Sequence, residues 1–222
     1  IAQVLAGYGV PHERLHTVHS GIEAARMQVE PISRAALGVP HDAFLLGNVA
    51  ALVGHKDHHT LLAALRLARD ANPALHLAIA GDGPLRETLH AQTQRLGLED
   101  AVHWLGFRND VPQLLRACDA FVLSSREEGL GTSVLDAMAA GVPVVATAAG
   151  GIPEMVLDEE TGLLVPPSDP PALARAMGRL AHEAPLCARL VQGARTRLDT
   201  RFSAAAMVEG TWQVYQQVRA QG

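Results

Sequence analysis

Residues 124–147, SSREEGLGTSVLDAMAAGVPVVAT, decide how the chain is read. The apolar run before them ends at Ser124 as a strand would, and a loop follows with Gly129, Leu130 and Gly131. A helix is predicted from about Thr132 to Ala140. Gly141 and Pro143 stop that helix, and Val144 and Val145 begin the next strand. Glu128 lies in the loop and Asp136 one turn inside the helix, so that both acids can face one pocket.

A helix start of this kind favours an anion. Its first N–H groups have no internal partner and lie at the positive end of the aligned peptide dipoles, which suits a phosphate. Gly129 and Gly131 let backbone approach a ligand with no side chain in between. Thr132 and Ser133 add hydroxyls, and one of them is equally readable as the N-cap. A carboxylate at Glu128 repels phosphate, so it is read as handling something else, such as a sugar hydroxyl.

Outward from this stretch, apolar runs at 44–52, 75–81, 101–107, 119–125, 143–147 and 162–166 alternate with helical patterns. This predicts an α/β fold with a parallel sheet covered on both faces. Ligands of such sheets bind beyond the carboxyl ends of the strands. Lys56, Gly81, Gly83, Phe107, Arg108, Glu128 and Gly150 all fall at that edge.

Each of these residues has a plainer reading too. Lys56 can reach a phosphate, or it is a solvated loop lysine. The HKDHH run around it lacks metalloprotease or Cys spacing, so zinc is not supported. The GDG turn of Gly81 and Gly83 is not a GxGxxG fingerprint, and it is read as a tight turn beneath a nucleotide. Phe107 is either a face for a planar base or a core residue, Arg108 is read as a surface charge, and Glu154 is read as a helix-start acid.

Residues 1–22 read as a helical piece ending near Gly7 and Gly9, then a short alternating strand, RLHTVHSGI, at 14–22. Residues 23–40 read as a polar crossing. From Pro170 onward the pattern is helical, and Ser203 is the expected cap of the last helix. Met207, Trp212, Tyr215 and Val218 on that helix are read as core packing.

With 222 residues the chain can bury a sizeable core, and a net charge of −5 argues against general nucleic-acid binding. No apolar run approaches the roughly 20 residues of a membrane span, and no signal peptide opens the chain. Cys118 and Cys187 read as reduced core residues of a cytoplasmic protein. The sequence opens at Ile1 without Met, which reads as a piece of a longer polypeptide.

Taken together, GVPHERLHTVHSGI, LVGHKDHHTLLAAL, IAGDGPLRETL, VHWLGFRNDVPQLLRACDAFVLSS, EGLGTSVLDAMAAGVPVVAT and GGIPEMVLDEETGLLVPPSDP resemble the C-terminal, nucleotide-sugar-binding half of a retaining family 4 glycosyltransferase of the GT-B fold. The resemblance runs from about Gly9 to Tyr215. It implies a single Rossmann-like donor domain over 1–222, with 203–222 a helix that crosses back toward an absent N-terminal acceptor domain. Glu128 and Asp136 then occupy the ends of an E-x7-E pattern, the first facing the donor sugar and the second holding ribose hydroxyls. Lys56 matches the lysine that neutralises the diphosphate, and Gly129, Leu130, Gly131 and Thr132 supply backbone donors. Gly81, Gly83 and Phe107 complete the expected donor site.

Two positions depart from the family pattern: Asp136 stands in place of Glu, and Ala51 in place of an Arg five residues before the lysine. The implied chemistry is transfer of a sugar from a UDP- or GDP-type donor with retained configuration, needing no cofactor or metal. The acceptor is a glycan or lipid of the cell envelope, and the full-length protein is expected at the inner membrane face. The fragment alone is expected to transfer nothing. The rival readings are a non-catalytic nucleotide-sugar-binding module and a sugar-nucleotide epimerase of the same fold.

Overall fold

The computed structural model describes residues 2–221. Ile1 and Gly222, the ends of the expected 1–222 domain, lie outside the described residues. The chain divides into two compact units, residues 24–195 and residues 1–23 with 196–222.

Among the described residues of the larger unit, six strands form one parallel sheet in the order β3-β2-β1-β4-β5-β6. They are β1 (Phe44–Val49), β2 (Leu75–Ala80), β3 (Val102–Gly106), β4 (Ala120–Leu123), β5 (Val144–Thr147) and β6 (Leu163–Val165). Ahead of the helices of this unit comes α1 (Ala2–Gly7) of the smaller one. The sheet is crossed by α2 (His58–Ala71), α3 (Arg86–Arg95), α4 (Val111–Ala117), α5 (Thr132–Ala139), α6 (Ile152–Met155) and α7 (Pro170–His182). The helix α8 (Ala184–Arg201) spans the boundary between the units, and α9 (Ala204–Gln221) belongs to the smaller one.

β-Branched and leucine side chains with a period of two give the strands two buried faces. Leu46, Val122 and Val145 join one cluster with Leu61, Leu65, Leu173 and Met177 of α2 and α7. Their chain neighbours Leu45, Phe121, Leu123 and Val144 point to the other side by strand alternation and are equally buried. β1, β2, β4 and β5 are therefore covered on both faces, whereas the edge strand β3 is only partly buried.

The order of strands places the function. The chain winds outward from β1 through β2 to β3, returns to β4 beside β1, and winds the other way to β6. Neighbouring loops at the carboxyl ends of β1 and β4 consequently diverge and leave a crevice at this switch point. The two loops are those that carry Lys56 and Glu128.

Two expectations in the smaller unit need correction. Residues 14–22 form no strand: Ile22 makes one isolated bridge to Ser203, with the Ile22 N–H donating to the Phe202 carbonyl at 2.8 Å and the Ala204 N–H donating to the Ile22 carbonyl at 3.1 Å. The alternating pattern meets a helix junction rather than a second strand, and Gly21 permits it, since a Cβ there would lie 2.1 Å from the Ser203 carbonyl oxygen. The stripe on α9 is the second. Ser203 does cap the helix, accepting from Ala206 N–H at 3.2 Å, but Trp212 is 53% exposed and Tyr215 and Val218 are also exposed. Instead the flank of α9 bearing Met207 and Gly210 meets Gly21 and Val18.

Candidate active site

At the switch point, a 3₁₀ turn over Gly54–Lys56 brings Lys56 back over the sheet edge. Asp57 follows in the left-handed conformation (φ 48°, ψ 47°), which costs about 1 kcal/mol for a residue with a Cβ. The carboxylate offsets that cost as the N-cap of α2, accepting from Thr60 N at 3.3 Å, Thr60 Oγ1 at 2.8 Å and Ser168 Oγ at 3.0 Å. Beyond β4, the loop is stitched to this turn: Ser124 Oγ donates to the Lys56 carbonyl at 2.9 Å and Arg126 N–H to the His55 carbonyl at 2.8 Å.

Lys56 Nζ and Glu128 Oε2 are 2.5 Å apart, with the side chains 17% and 7% exposed. Ser125 Oγ donates to the same carboxylate oxygen at 3.1 Å, and Thr147 Oγ1 donates to the Ser125 carbonyl at 2.5 Å. Gly150 and Gly151 let the loop after β5 close on this one, since a Cβ at Gly150 would sit 1.8 Å from the Glu128 carbonyl oxygen. The acid is thus held from three sides.

A cavity of about 540 Å³ opens beside this pair. Val49, Ala50, Ala51 and Lys56 line it from the β1 side, Leu130, Gly131, Thr132, Ser133 and Asp136 from the β4–α5 turn, and Asn109, Val111 and Pro112 from the start of α4. Arg26 and Met27 complete it from a 3₁₀ turn over Ala24–Met27. Arg26 donates to Asp136 Oδ1. Burial holds the Asp136 carboxyl above its ordinary value, and the Arg26 guanidinium acts against that shift. A second cavity of about 470 Å³ is lined by His55, Arg126, Glu127, Glu128, Gly129 and Gly150. The Lys56–Glu128 pair therefore joins the two spaces.

The sequence-derived residues divide accordingly. Lys56, Leu130, Gly131, Thr132 and Asp136 meet in the first cavity, and Glu128 and Gly129 line the second. Gly81, Gly83 and Phe107 line neither. Gly81 and Gly83 face backbone: a Cβ would lie 1.9 Å from the Ala50 carbonyl oxygen at the first and 2.6 Å from that of Leu52 at the second. Phe107 is 76% exposed, and Arg108 is held by Asp110 at 2.7 and 2.5 Å. The α5 cap is Gly131 with no side-chain hydrogen bond, so neither Thr132 nor Ser133 fills that role.

The sequence alone does not mark Arg26 and Asn109 as cavity residues, or Asp57 as a cap. Arg26 is 110 positions from its acid in a segment without regular periodicity, and no local pattern signals such a contact. His58, in the HKDHH run, is neither a metal nor a phosphate ligand. It is fully buried, and its Nε2 donates to Asn48 Oδ1 at 3.1 Å, because Asn48 Nδ2 already donates to the Val122 carbonyl at 2.8 Å. Its Nδ1 has no hydrogen-bond partner among the described residues. Burial, followed by the charge of Lys56, lowers the His58 pKa to about 4, so the ring is neutral. Among the described residues, no group of three or more His, Cys, Asp or Glu side chains is placed to hold a metal ion.

Fold and crevice together define a doubly wound α/β domain that binds its ligand at the topological switch point. More closely, the chain belongs to the glycosyl transferases group 1, matching that family over residues 29–197. Its fold is the C-terminal, Rossmann-like half of a GT-B glycosyltransferase. EpsD of Bacillus subtilis (strain 168) is 36% identical over 214 residues, which cover 96% of this chain and 54% of EpsD. The lipopolysaccharide core biosynthesis glycosyltransferase LpsE of Rhizobium meliloti (strain 1021) is 33% identical over 187 residues, covering 84% of this chain and 54% of LpsE. The crystal structure of Anabaena HepE in complex with UDP-glucose superposes with a TM-score of 0.87 at 29% identity, covering 99% of this chain and 61% of HepE. The chain spans about half the length of the curated relatives it matches.

Proposed function

We propose that this chain is the donor-binding half of a retaining family 4 glycosyltransferase that transfers a hexose from a nucleoside-diphosphate sugar to a cell-envelope glycan or lipid. The observation that carries the reading is the convergence of Lys56, Glu128, Asp136 and the α5 N-terminus on adjoining cavities at the β1–β4 switch point. The likeness to HepE, solved with UDP-glucose, supports a UDP-type donor. LpsE, named for lipopolysaccharide core biosynthesis, supports an envelope acceptor and with it a cytoplasmic site of action at the inner membrane face.

In this reading the nucleotide lies in the larger cavity and the sugar beside Glu128. Departure of the diphosphate from an oxocarbenium-like carbon leaves negative charge on oxygen. The Lys56 ammonium and the positive end of the α5 dipole neutralise it. Asp136 accepts from the ribose hydroxyls, and Asn109 and Val111 border the base. Glu128 orients sugar hydroxyls, and its pairing with Lys56 keeps both charges compensated before the donor enters. The rest of the protein, which this chain does not include, supplies the acceptor contacts, and transfer belongs to the whole protein.

Calorimetry of the full chain against UDP, GDP and ADP, each at up to millimolar concentration, tests the binding half of this reading. One nucleoside diphosphate is expected to bind clearly, and failure of all three sinks it. For the chemistry, Glu128→Gln in the whole protein is expected to lower kcat by about 10²-fold or more while nucleotide affinity stays within about threefold. Equal kcat in the variant rules out the assigned role. Ala51, which lines the cavity where the family resemblance implies an Arg, is what favours a non-catalytic binding module as the second reading. Nucleotide binding with no transfer by either protein would establish it.

A further inference from the structure

Arg26 has no assigned role in the site, although its guanidinium lines the cavity. Lys56 and Arg26 are the two Lys or Arg side chains among the described residues that do so. Each is already matched by an acid, Lys56 by Glu128 and Arg26 by Asp136. The two ion pairs therefore balance one another's charges across the cavity lining. An entering diphosphate would bring further negative charge beside two carboxylates unless a cation changes partner.

The geometry favours Arg26 as that cation. Its side chain is 49% exposed, against 14% for Asp136, so the guanidinium can leave while the acid stays in place. The turn that carries it is anchored by Met27, which is buried, and packs against α4 and α5. Asp136 lies one helical turn, about 6 Å, from the first residue of α5, a displacement that an Arg side chain covers without backbone movement. Arg108 is not available in its place, because Asp110 holds it outside the lining. A planar guanidinium suits a diphosphate through two parallel hydrogen bonds.

We propose that Arg26 is an exchangeable counter-ion, pairing with Asp136 and moving to the diphosphate of an incoming nucleotide, which frees Asp136 to accept from the ribose hydroxyls. This rests on the donor-site reading above. The exchange couples the two ends of the ligand. A nucleoside displaces Arg26 without offering it a partner, and pyrophosphate takes Arg26 but leaves Asp136 buried and unpaired.

Titration of the full chain and of its Arg26→Met variant with UDP, uridine and inorganic pyrophosphate tests the exchange, with GDP and guanosine as substitutes if UDP does not bind. In the variant the diphosphate nucleotide is expected to lose about tenfold or more in affinity. The nucleoside is expected to gain about threefold, because Asp136 is released. Arg26→Gln is read in the same way and keeps the test open if the methionine variant does not fold. Unchanged nucleotide affinity, or parallel losses for nucleotide and nucleoside, overturns the exchange and leaves the donor-site reading intact. A wild-type chain that binds none of UDP, GDP and ADP overturns both.

Discussion

Two strand-to-helix turns of this sheet look alike in sequence and do opposite things. GDG after β2 and EGLG after β4 both put two glycines at the carboxyl edge of the sheet. At Gly81 and Gly83 the space beside Cα is filled by the carbonyls of Ala50 and Leu52. Three backbone hydrogen bonds seal that turn: Leu52 N–H to Asp82 O at 3.0 Å, Leu85 N–H to Leu52 O at 3.1 Å and Gly81 N–H to Gly106 O at 2.8 Å. At Gly129 a Cβ would meet no atom within 4 Å. The first turn uses glycine so that backbone can meet backbone. The second leaves room open at Gly129, whereas a Cβ at Gly131 would lie 2.5 Å from Ile152 Cδ1, and its shape is kept by the side chains of Ser125, Thr147 and Lys56 together with the Gly151 N–H donating to the Glu128 carbonyl at 3.0 Å. A glycine at a sheet edge thus signals close approach without saying what approaches.

The largest effect should separate these turns. Gly81→Ala places a methyl 1.9 Å from a backbone carbonyl and is expected to cost about 3 kcal/mol or more of stability by denaturant unfolding. Gly129→Ala is expected to cost less than about 1 kcal/mol while weakening nucleoside-diphosphate binding about tenfold. Equal stability losses would erase the distinction.

A pH ramp sharpens the same contrast, because the open turn depends on titratable neighbours and the sealed one on backbone. His58 pins β1 to β4 through Asn48 just below Lys56. Its folded-state pKa, lowered to about 4, lies below the usual histidine value of 6.5. The unfolded chain therefore takes up the proton first as pH falls. The contribution of His58 is complete above pH 6.5 and is lost between there and about pH 4. The expected loss is about 3 kcal/mol, and burial lowers His76 and His103 in the same direction. Unfolding of wild type and His58→Gln across this window checks it. The variant should show a shallower slope, and identical slopes would remove His58 from the account.

The smallest effect concerns Asp57. Asp57→Gly relieves the left-handed backbone while losing the cap, for a net change below about 1 kcal/mol. Asp57→Ala loses the cap and keeps the strain, for a cost of about 1 kcal/mol or more. If alanine and glycine were equal in thermal unfolding, backbone conformation would not matter at this position.

Much of this is legible from residue patterns. Alternating apolar runs and helical periods give the parallel sheet, and the rule that strand ends carry ligands draws Lys56, Glu128 and Asp136 together. What escapes is tertiary. Arg26 sits in a turn with no period, and its partner is fixed only when α5 folds against that turn. RLHTVHSGI alternates as a strand does, yet a strand also needs a neighbour with free backbone groups, and Ile22 finds a helix junction instead. Phe107 ends a strand in a position where sequence cannot distinguish a wall from a surface. The stripe on α9 has helical spacing, but spacing reports a face and not what lies against it.

That stripe also has an optical consequence. The chain has two tryptophans, and the two compact units hold one each. Trp104 stacks on His90 at 4.5 Å between ring centroids, whereas Trp212 stands half in solvent. A dissolved quencher such as iodide should reach Trp212 more readily than Trp104. Emission from this one molecule can therefore report separately on the melting of each unit, with no label attached.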